Sequence, residues 1–194
     1  PGEDLAGVMG GIDFLREIAL GKIPELGRKV AVVGGGNTAM DACRSAVRAG
    51  ASEVYTIYRR TRAEMPAEQI EIDEAEEEGV VFKFLCNPVE ILGTDGRVSA
   101  VKAQKMKLGE PDAGGRRAPV PVEGEFETIE VDTVIMAIGQ SCNLSGFETL
   151  AHTKKNTLSA DETNFTTSES GVFACGDVTN RGAGIAIAAI AEAQ

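Results

Sequence analysis

The fold is decided by one stretch of the sequence, Val30-Ala31-Val32-Val33-Gly34-Gly35-Gly36-Asn37-Thr38-Ala39. Its apolar, β-branched first half is typical of a buried parallel strand, and its glycines indicate a turn from strand to helix. Gly34 and Gly36 would let the backbone approach a pyrophosphate, and Ala39 takes the third, helix-packing place of a Gly-x-Gly-x-x-Ala pattern. Because the next helix would offer free amides and its positive dipole end, the stretch predicts an anion site.

The residues that follow complete a unit of strand, turn, helix and strand. Met40, Cys43 and Val47 recur at helical spacing, Gly50 ends the helix, and residues 53–58 predict the next strand. The unit takes about 30 residues, the size expected of one βαβ unit. A glycine triplet alone also occurs in ordinary turns, so the context carries the prediction of a nucleotide site. The candidate phosphate-binding residues are Gly34, Gly35, Gly36, Asn37 and Thr38.

Arginines stand where a ribose-binding carboxylate is expected. In NAD-selective sites an Asp or Glu at the end of the second strand accepts hydrogen bonds from the ribose hydroxyls. Arg59 and Arg60 occupy that place, and their planar donors suit a dianionic 2'-phosphate. The sequence therefore favours NADP(H) over NAD(H). Arg62 is a further candidate, with the alternative that these arginines form a solvated loop paired with Glu64 or Glu68.

Composition indicates an enclosed domain that binds neither nucleic acid nor membranes. A chain of 194 residues with 43% hydrophobic content can bury a substantial core, and 23 glycines suit the tight turns of an α/β fold. The 19 basic and 30 acidic residues give a net charge of −11, which argues against polyanionic partners. No apolar stretch could span a bilayer and no leader opens the chain, so we expect a cytoplasmic location.

The thiols and the single imidazole give no catalytic or metal-binding pattern. Cys43, Cys86, Cys142 and Cys175 are scattered without a Cys-x-x-Cys pair, so we expect packing thiols. This argues against a dithiol flavoprotein reductase, a zinc site and an iron-sulfur site in this segment. His152 lies in a polar stretch and is expected to be exposed rather than a base. The sequence predicts no catalytic side chain and no metal ligand.

Beyond the first unit the pattern changes to antiparallel strands. The acidic run 68–78, which ends at Gly79, predicts a helix whose carboxylates face water. Residues 108–124 are rich in glycine and proline and predict a hairpin connection. Residues 133–138 predict a buried strand that ends at Gly139, where close backbone approach is easy. Short antiparallel strands of a β-meander are predicted over residues 80–85, 89–92 and 98–108.

Taken together, these segments resemble the NADPH-binding region of the glutamate synthase small-subunit family, within the two-dinucleotide flavoproteins that include adrenodoxin reductase. The resemblance covers nearly the whole chain. It is carried by Pro1-Gly2-Glu3-Asp4, Gly11-Ile12-Asp13-Phe14-Leu15, residues 34–41, Tyr58-Arg59-Arg60-Thr61-Arg62-Ala63-Glu64-Met65-Pro66, Ala137-Ile138-Gly139 and Gly171-Val172-Phe173-Ala174-Cys175-Gly176-Asp177.

For the nicotinamide coenzyme, the resemblance implies one site. Gly34, Gly36, Asn37 and Thr38 would lie along the NADPH pyrophosphate. The 2'-phosphate would be held by Arg59 and Arg60. Gly139 would lie near the junction of the cofactor domains.

For the flavin, the resemblance implies a second site. Asp177 would accept a hydrogen bond from the flavin ribitol chain, after Gly176 lets the backbone approach. Gly184 and Ile185 would begin the next helix and direct its amides and dipole toward the flavin. An ordinary alternative for Asp177 is to cap a turn.

The resemblance also divides the chain. Only one glycine fingerprint is present, whereas the intact family has a separate amino-terminal one for FAD. We therefore expect an NADPH-binding domain at residues 28–139, flanked at 1–27 and 140–194 by pieces of an interrupted FAD domain. Because the chain begins at Pro1 and stops within an apparent helix, it is interpreted as a segment of a longer polypeptide that retains no FAD.

The expected fold is α/β, a Rossmann-like parallel sheet with an antiparallel β-meander, flanked by those pieces of the FAD-binding domain. The expected function is hydride transfer between NADPH and FAD in the longer polypeptide, the isolated segment being inactive. Iron-sulfur clusters and a glutamate-forming subunit would lie outside this segment. The alternative is a non-catalytic regulatory or interaction module that takes NADP(H) as a ligand.

Overall fold

Short runs of buried aliphatic residues build a parallel sheet. The computed structural model describes residues 1–111, 115–179 and 186–193. The five strands of the sheet are β1 (Val8–Gly10), β2 (Lys29–Val33), β3 (Glu53–Tyr58), β4 (Val81–Phe84) and β8 (Thr133–Met136). They run parallel in the order β1-β8-β2-β3-β4, so their carboxyl ends meet at one edge.

One face of this sheet is covered by helices. Val30 and Val32 of β2 are buried in one cluster with Phe14 and Met40, which belong to the helices. Every second side chain of a strand points to the same face, so these valines mark the helical side. The predicted unit of strand, turn, helix and strand is confirmed. The helices are α1 (Gly11–Ala19), α2 (Asn37–Arg48) and α3 (Gln69–Glu77).

An antiparallel sheet packs on the other face. Ala31 and Val33, the remaining buried residues of β2, share a second cluster with Val101 and Ile129 of this sheet. Its strands, in the order β5-β6-β7, are β5 (Cys86–Thr94), β6 (Arg97–Pro111) and β7 (Arg117–Glu130). Helices, parallel sheet and antiparallel sheet therefore form three layers. The predicted α/β fold with a β-meander is confirmed.

The antiparallel strands are longer than the sequence predicts. The stretch 108–124 was expected to be a connection, but much of it lies in the paired strands β6 and β7. Pro119 and Pro121 are tolerated there because β7 is an edge strand that pairs only with β6. Strands β6 and β7, together called the β6–β7 ribbon, are therefore paired as far as Pro111 and Arg117. Residues 112–114 lie outside the described part of the chain.

The first 27 residues pack with the parallel sheet. The chain divides into two compact units, residues 1–138 and 139–194. Strand β1 pairs with β8, and Phe14 of α1, only 1% exposed, fills the helical core. The expected boundary of the NADPH-binding domain at residue 28 remains a prediction.

The second unit has a small apolar cluster of its own. Leu144, Leu150 and Leu158 are buried together within residues 139–194. A 3-10 turn at Gly176–Val178 and helix α4 (Ala186–Glu192) complete the described elements of this unit. Among the residues described in either unit, no helix combines the length and the apolar character needed to cross a bilayer.

Candidate functional site

The turn after β2 requires glycine at two positions. Gly34 has a φ of +147°, and a Cβ built on it would lie 2.3 Å from the carbonyl oxygen of Ala137. A Cβ on Gly35 would lie 2.6 Å from the ring of Tyr58. Gly36 differs, because its nearest neighbour would be a side-chain atom of Pro66 at 3.9 Å. The turn is therefore closely packed behind Gly34 and Gly35 and open in front of Gly36.

Helix α2 begins with unsatisfied backbone donors. Gly36 is its N-cap, and no side chain caps the helix. The Gly36 carbonyl accepts hydrogen bonds from the N–H groups of Ala39 and Met40, at 2.9 and 3.2 Å. Within the described residues, the N–H groups of residues 35–38 reach no protein acceptor. Free amides at the positive end of a helix dipole form a site for an anion such as a pyrophosphate.

The segment after β3 folds against this turn. The Tyr58 ring lies on Gly35, and the Tyr58 hydroxyl donates a hydrogen bond to the Glu64 carbonyl at 2.8 Å. Thr61 and Glu64 form a capping box on a 3-10 turn at Arg62–Glu64. Hydrogen bonds from Thr61 hold the pKa of Glu64 below its ordinary value, so this carboxylate is ionised at neutral pH. The loop that carries the arginines is therefore fixed by its own hydrogen bonds.

A second set of hydrogen bonds joins this loop to α2. The Ala67 N–H donates to the Gly35 carbonyl at 3.1 Å. The Glu68 N–H donates to Oδ1 of Asn37 at 2.9 Å. The oxygen of Asn37 is thus used within the protein, which leaves its amide group as the possible donor to a phosphate. Thr38 is half-buried beside it in the first turn of the helix.

The predicted arginines differ in their surroundings. Arg59 is exposed, and its side chain makes no hydrogen bond or ion pair within the part of the chain that the structure describes. The Nε of Arg60 donates to the carbonyl of Arg117 at 2.7 Å. Arg62 is paired with α3, because its guanidinium contacts Asp73 and lies 2.9 Å from Glu76. The paired-loop alternative therefore describes Arg62, with partners other than Glu64 and Glu68.

Two arginines that the sequence analysis missed lie at the same place. Nη2 of Arg116 lies 3.2 Å from the Tyr58 hydroxyl and 3.0 Å from the Glu64 carbonyl. Arg117 receives the hydrogen bond from Arg60 through its carbonyl. Nearly 60 residues separate these partners in the chain, so the only signal in the sequence was an Arg-Arg pair at the end of the glycine- and proline-rich stretch.

The remaining site candidates belong to the second unit. Gly139, where this unit begins, has a φ of +107°, which favours glycine. Gly176 has a φ of +71°, and its N–H donates to the Glu192 carboxylate at 2.7 Å. Asp177 is exposed beside it. The two other predicted flavin contacts, Gly184 and Ile185, lie outside the described residues.

The cysteine thiols and the single histidine differ in burial. All four cysteines are free, and Cys43 and Cys86 are buried. Burial raises the pKa of the Cys43 thiol to about 12, so it is protonated and unreactive at neutral pH. His152 is exposed, as the sequence predicts. Its Nε2 lies 3.1 Å from the carbonyl of Phe147.

Comparisons with known proteins identify the family. The family model described as pyridine nucleotide-disulphide oxidoreductase matches residues 1–193. The chain is 47% identical over 192 residues to the NADP(+)-dependent formate dehydrogenase subunit beta of Moorella thermoacetica, covering 98% of this chain and 27% of that protein. It is 37% identical over 210 residues to the glutamate synthase (NADPH) small chain of Azospirillum brasilense, covering 100% of this chain and 43% of that protein.

A solved structure gives the same fold. FprA of Mycobacterium tuberculosis in complex with NADPH aligns with a TM-score of 0.77 at 19% identity, over 100% of this chain and 57% of that chain. The present chain thus spans about a quarter of one curated relative and less than half of the other. The resemblance to the glutamate synthase small-subunit family is confirmed. The chain belongs to the pyridine nucleotide-disulphide oxidoreductase family.

Proposed function

We propose that this chain is the NADP(H)-binding part of a flavin-dependent oxidoreductase in which hydride passes between NADPH and FAD. The observation that carries the proposal is a closely packed glycine turn, open at Gly36, with free amides at residues 35–38 and with Arg59 and Arg60 directly after the neighbouring strand β3. Relatives whose names include NADPH or NADP(+) support the choice of coenzyme.

Each part of the coenzyme has residues of suitable chemistry. The amides of residues 35–38, with the side chains of Asn37 and Thr38, would hold the pyrophosphate. Arg59 and Arg60 would hold the 2'-phosphate, because guanidinium forks match a phosphate dianion. Arg62 would serve the site indirectly, since its two carboxylate partners on α3 already neutralise it.

The second unit would contribute to the flavin site. Gly176 and Asp177 would meet the flavin ribitol, and Gly139 would mark the passage between the two cofactor sites. Phe173 and Ile187 of this unit are 65% and 77% exposed, and we propose that the rest of a FAD domain covers them in a longer protein. The lengths of the curated relatives support this part of the proposal.

In this scheme the chain works by binding and orientation. A bound flavin supplies the two-electron chemistry, and the protein holds the nicotinamide coenzyme in a fixed place beside it. No side chain needs to donate or accept a proton, in keeping with buried, protonated Cys43 and exposed His152. The electrons would leave through iron-sulfur centres or a glutamate-forming subunit outside this segment. The curated relatives are themselves named as subunits or a small chain, which supports such partners.

Titration calorimetry with NADPH and NADH tests the coenzyme site. Replacing both Arg59 and Arg60 by alanine removes charge-assisted hydrogen bonds worth roughly 1.5–3 kcal/mol each, so NADPH should bind at least about a hundredfold more weakly. NADH, which has no 2'-phosphate, should be affected by less than about twofold. Arg28→Ala is the matched control, because Arg28 is an exposed arginine at the amino end of β2, away from the carboxyl edge of the sheet.

Two results would contradict the proposal: equal losses for both coenzymes in the double variant, or no binding of either coenzyme by the unmodified chain. In the longer protein, flavin absorbance should bleach when NADPH is added. NADPH binding without bleaching would favour the alternative, a regulatory module that uses the coenzyme as a ligand.

A further inference from the structure

The antiparallel sheet contacts the segment that carries the candidate arginines. The β6–β7 ribbon brings Arg116 against the loop that follows β3. There the Arg116 guanidinium bonds to the Tyr58 hydroxyl, and the Tyr58 ring itself lies on Gly35. A side chain from a different sheet is therefore linked through a single residue to the glycine turn.

The same ribbon orients Arg60. The hydrogen bond from the Arg60 Nε to the Arg117 carbonyl, at 2.7 Å, uses one of the five donors of the guanidinium. Because the guanidinium is planar, a bond through Nε fixes the plane in which the two terminal nitrogens lie. Within the described residues those terminal nitrogens have no acceptor. They remain available to bind a ligand.

The charges of Arg59 and Arg60 are not neutralised by a carboxylate of the described residues. Arg44, Arg48 and Arg62 each lie within 4.0 Å of a carboxylate. No ion pair within the described part of the chain involves the side chains of Arg59 or Arg60, although the net charge is −11. Like charges that converge on one loop repel one another unless an anion neutralises them. A bound dianion would turn this repulsion into attraction.

We propose that Arg116 and Arg117, at the amino end of β7, form one wall of the 2'-phosphate site, with Arg116 as a third phosphate-binding guanidinium and the Arg117 carbonyl orienting Arg60. This inference rests on the proposed NADP(H) function. In a site of this type the pyrophosphate lies at the helix N-terminus, and the adenosine ribose lies at the end of the second strand. Arg116 lies beside Tyr58, the last residue of that strand, so the 2'-phosphate is the anion within its reach.

The proposal is tested by binding measurements with half-coenzymes, which need no flavin. Adenosine 2',5'-bisphosphate carries the extra phosphate, and adenosine 5'-monophosphate lacks it. We expect Arg116→Ala to weaken the bisphosphate and NADPH by about tenfold, the loss of one charge-assisted contact, and to change the monophosphate and NADH by less than twofold. Arg97→Ala, an exposed arginine at the opposite end of β6, is the matched control and should change neither.

A second variant separates charge from support of the loop. Arg116→Gln removes the charge but keeps an amide that can donate to the Tyr58 hydroxyl. We expect it to fold with an unchanged melting temperature and to lose the 2'-phosphate preference by a similar factor.

The outcomes separate this inference from the proposed function. Suppose that the unmodified chain prefers NADPH and that the variant lacking Arg59 and Arg60 loses this preference. If both Arg116 variants then retain it, the role of Arg116 in binding the 2'-phosphate is refuted and the proposed function stands. Equal losses for both half-coenzymes in Arg116→Gln would also refute the wall, because Arg116 would then only support the loop. If the unmodified chain shows no preference for NADPH, the proposed function fails first.

Discussion

Gly34 and Gly36, two glycines of the turn between β2 and α2, should respond to alanine in different ways: the first change should lower stability and the second should weaken coenzyme binding. In Gly34→Ala, a φ of +147° is strained for alanine, and the new Cβ would lie 2.3 Å from the Ala137 carbonyl oxygen. The backbone strain is worth about 1–3 kcal/mol and the overpacking a similar amount, so the free energy of unfolding should fall by about 4 kcal/mol. That is a large part of the stability of an ordinary domain.

Gly36→Ala should fold almost normally. Gly36 has a φ of −95°, which alanine adopts freely, and its Cβ would meet only Pro66 at 3.9 Å. Replacing glycine by alanine at an N-cap costs about 0.5 kcal/mol. The methyl group would nevertheless occupy the open side of the turn, where a pyrophosphate approaches the amides. Because both coenzymes share the pyrophosphate, NADPH and NADH should each bind at least about tenfold more weakly.

Urea unfolding followed by circular dichroism, together with calorimetric titration, gives both quantities. At a typical slope of about 2 kcal/mol per molar urea, Gly34→Ala should move the unfolding midpoint down by about 2 M, and Gly36→Ala by about 0.3 M. The reasoning is refuted if Gly36→Ala binds both coenzymes like the unmodified chain. It is refuted equally if Gly34→Ala unfolds at the unmodified midpoint.

Two further predictions concern stability. Asp132 accepts hydrogen bonds from the N–H groups of Lys29 and Arg28, at 2.8 and 2.7 Å, and these bonds hold the pKa of Asp132 below its ordinary value. Asp132→Asn should therefore lower the free energy of unfolding by about 1 kcal/mol at pH 7. This difference should be fully present above the unfolded pKa of about 3.9 and should be lost as pH falls through the folded pKa. A difference in urea midpoints that does not change with pH would contradict this prediction. Arg44 bridges Glu71 and Glu78 at 2.7 and 2.9 Å, so Arg44→Ala should lower the free energy of unfolding by about 1–2 kcal/mol in thermal unfolding, and by less at 1 M salt. Arg16→Ala, which removes an exposed arginine, is the control and should leave the melting temperature unchanged. Equal melting temperatures for both variants would count against a stabilising role of the Arg44 ion pairs.

Local patterns were enough to predict the glycine turn between β2 and α2. The strand of valines, the glycines and the helical spacing of Met40 and Cys43 lie within a few residues of one another, and the structure forms the elements they indicate. Such signals depend on hydrogen bonds and burial within one short segment, so the sequence carries them directly. The arginine pair after β3 was visible for the same reason.

Contacts between distant segments could not be read from the sequence. The acidic helix α3 was expected to face water, yet its carboxylates pair with Arg44 and Arg62, which precede it in the chain. The bond between Arg116 and Tyr58 joins two sheets. The glycine and proline content predicted a loop where β6 and β7 continue. The strand forms nevertheless, because β7 is an edge strand that pairs with β6, and an edge strand accepts proline. These contacts depend on the tertiary structure, and the spacing of hydrophobic residues within one segment does not predict them.

The free edge of β7 affects the tendency of the protein to aggregate at high concentration. Fourteen residues of unpaired edge could recruit a strand from another molecule and start aggregation. Pro119 and Pro121 cannot donate a backbone hydrogen bond to an added strand, and the mutual repulsion of the exposed Glu123 and Glu125 discourages stacking of identical copies. The prolines that made this stretch look like a loop in the sequence thus also oppose self-association of the folded protein.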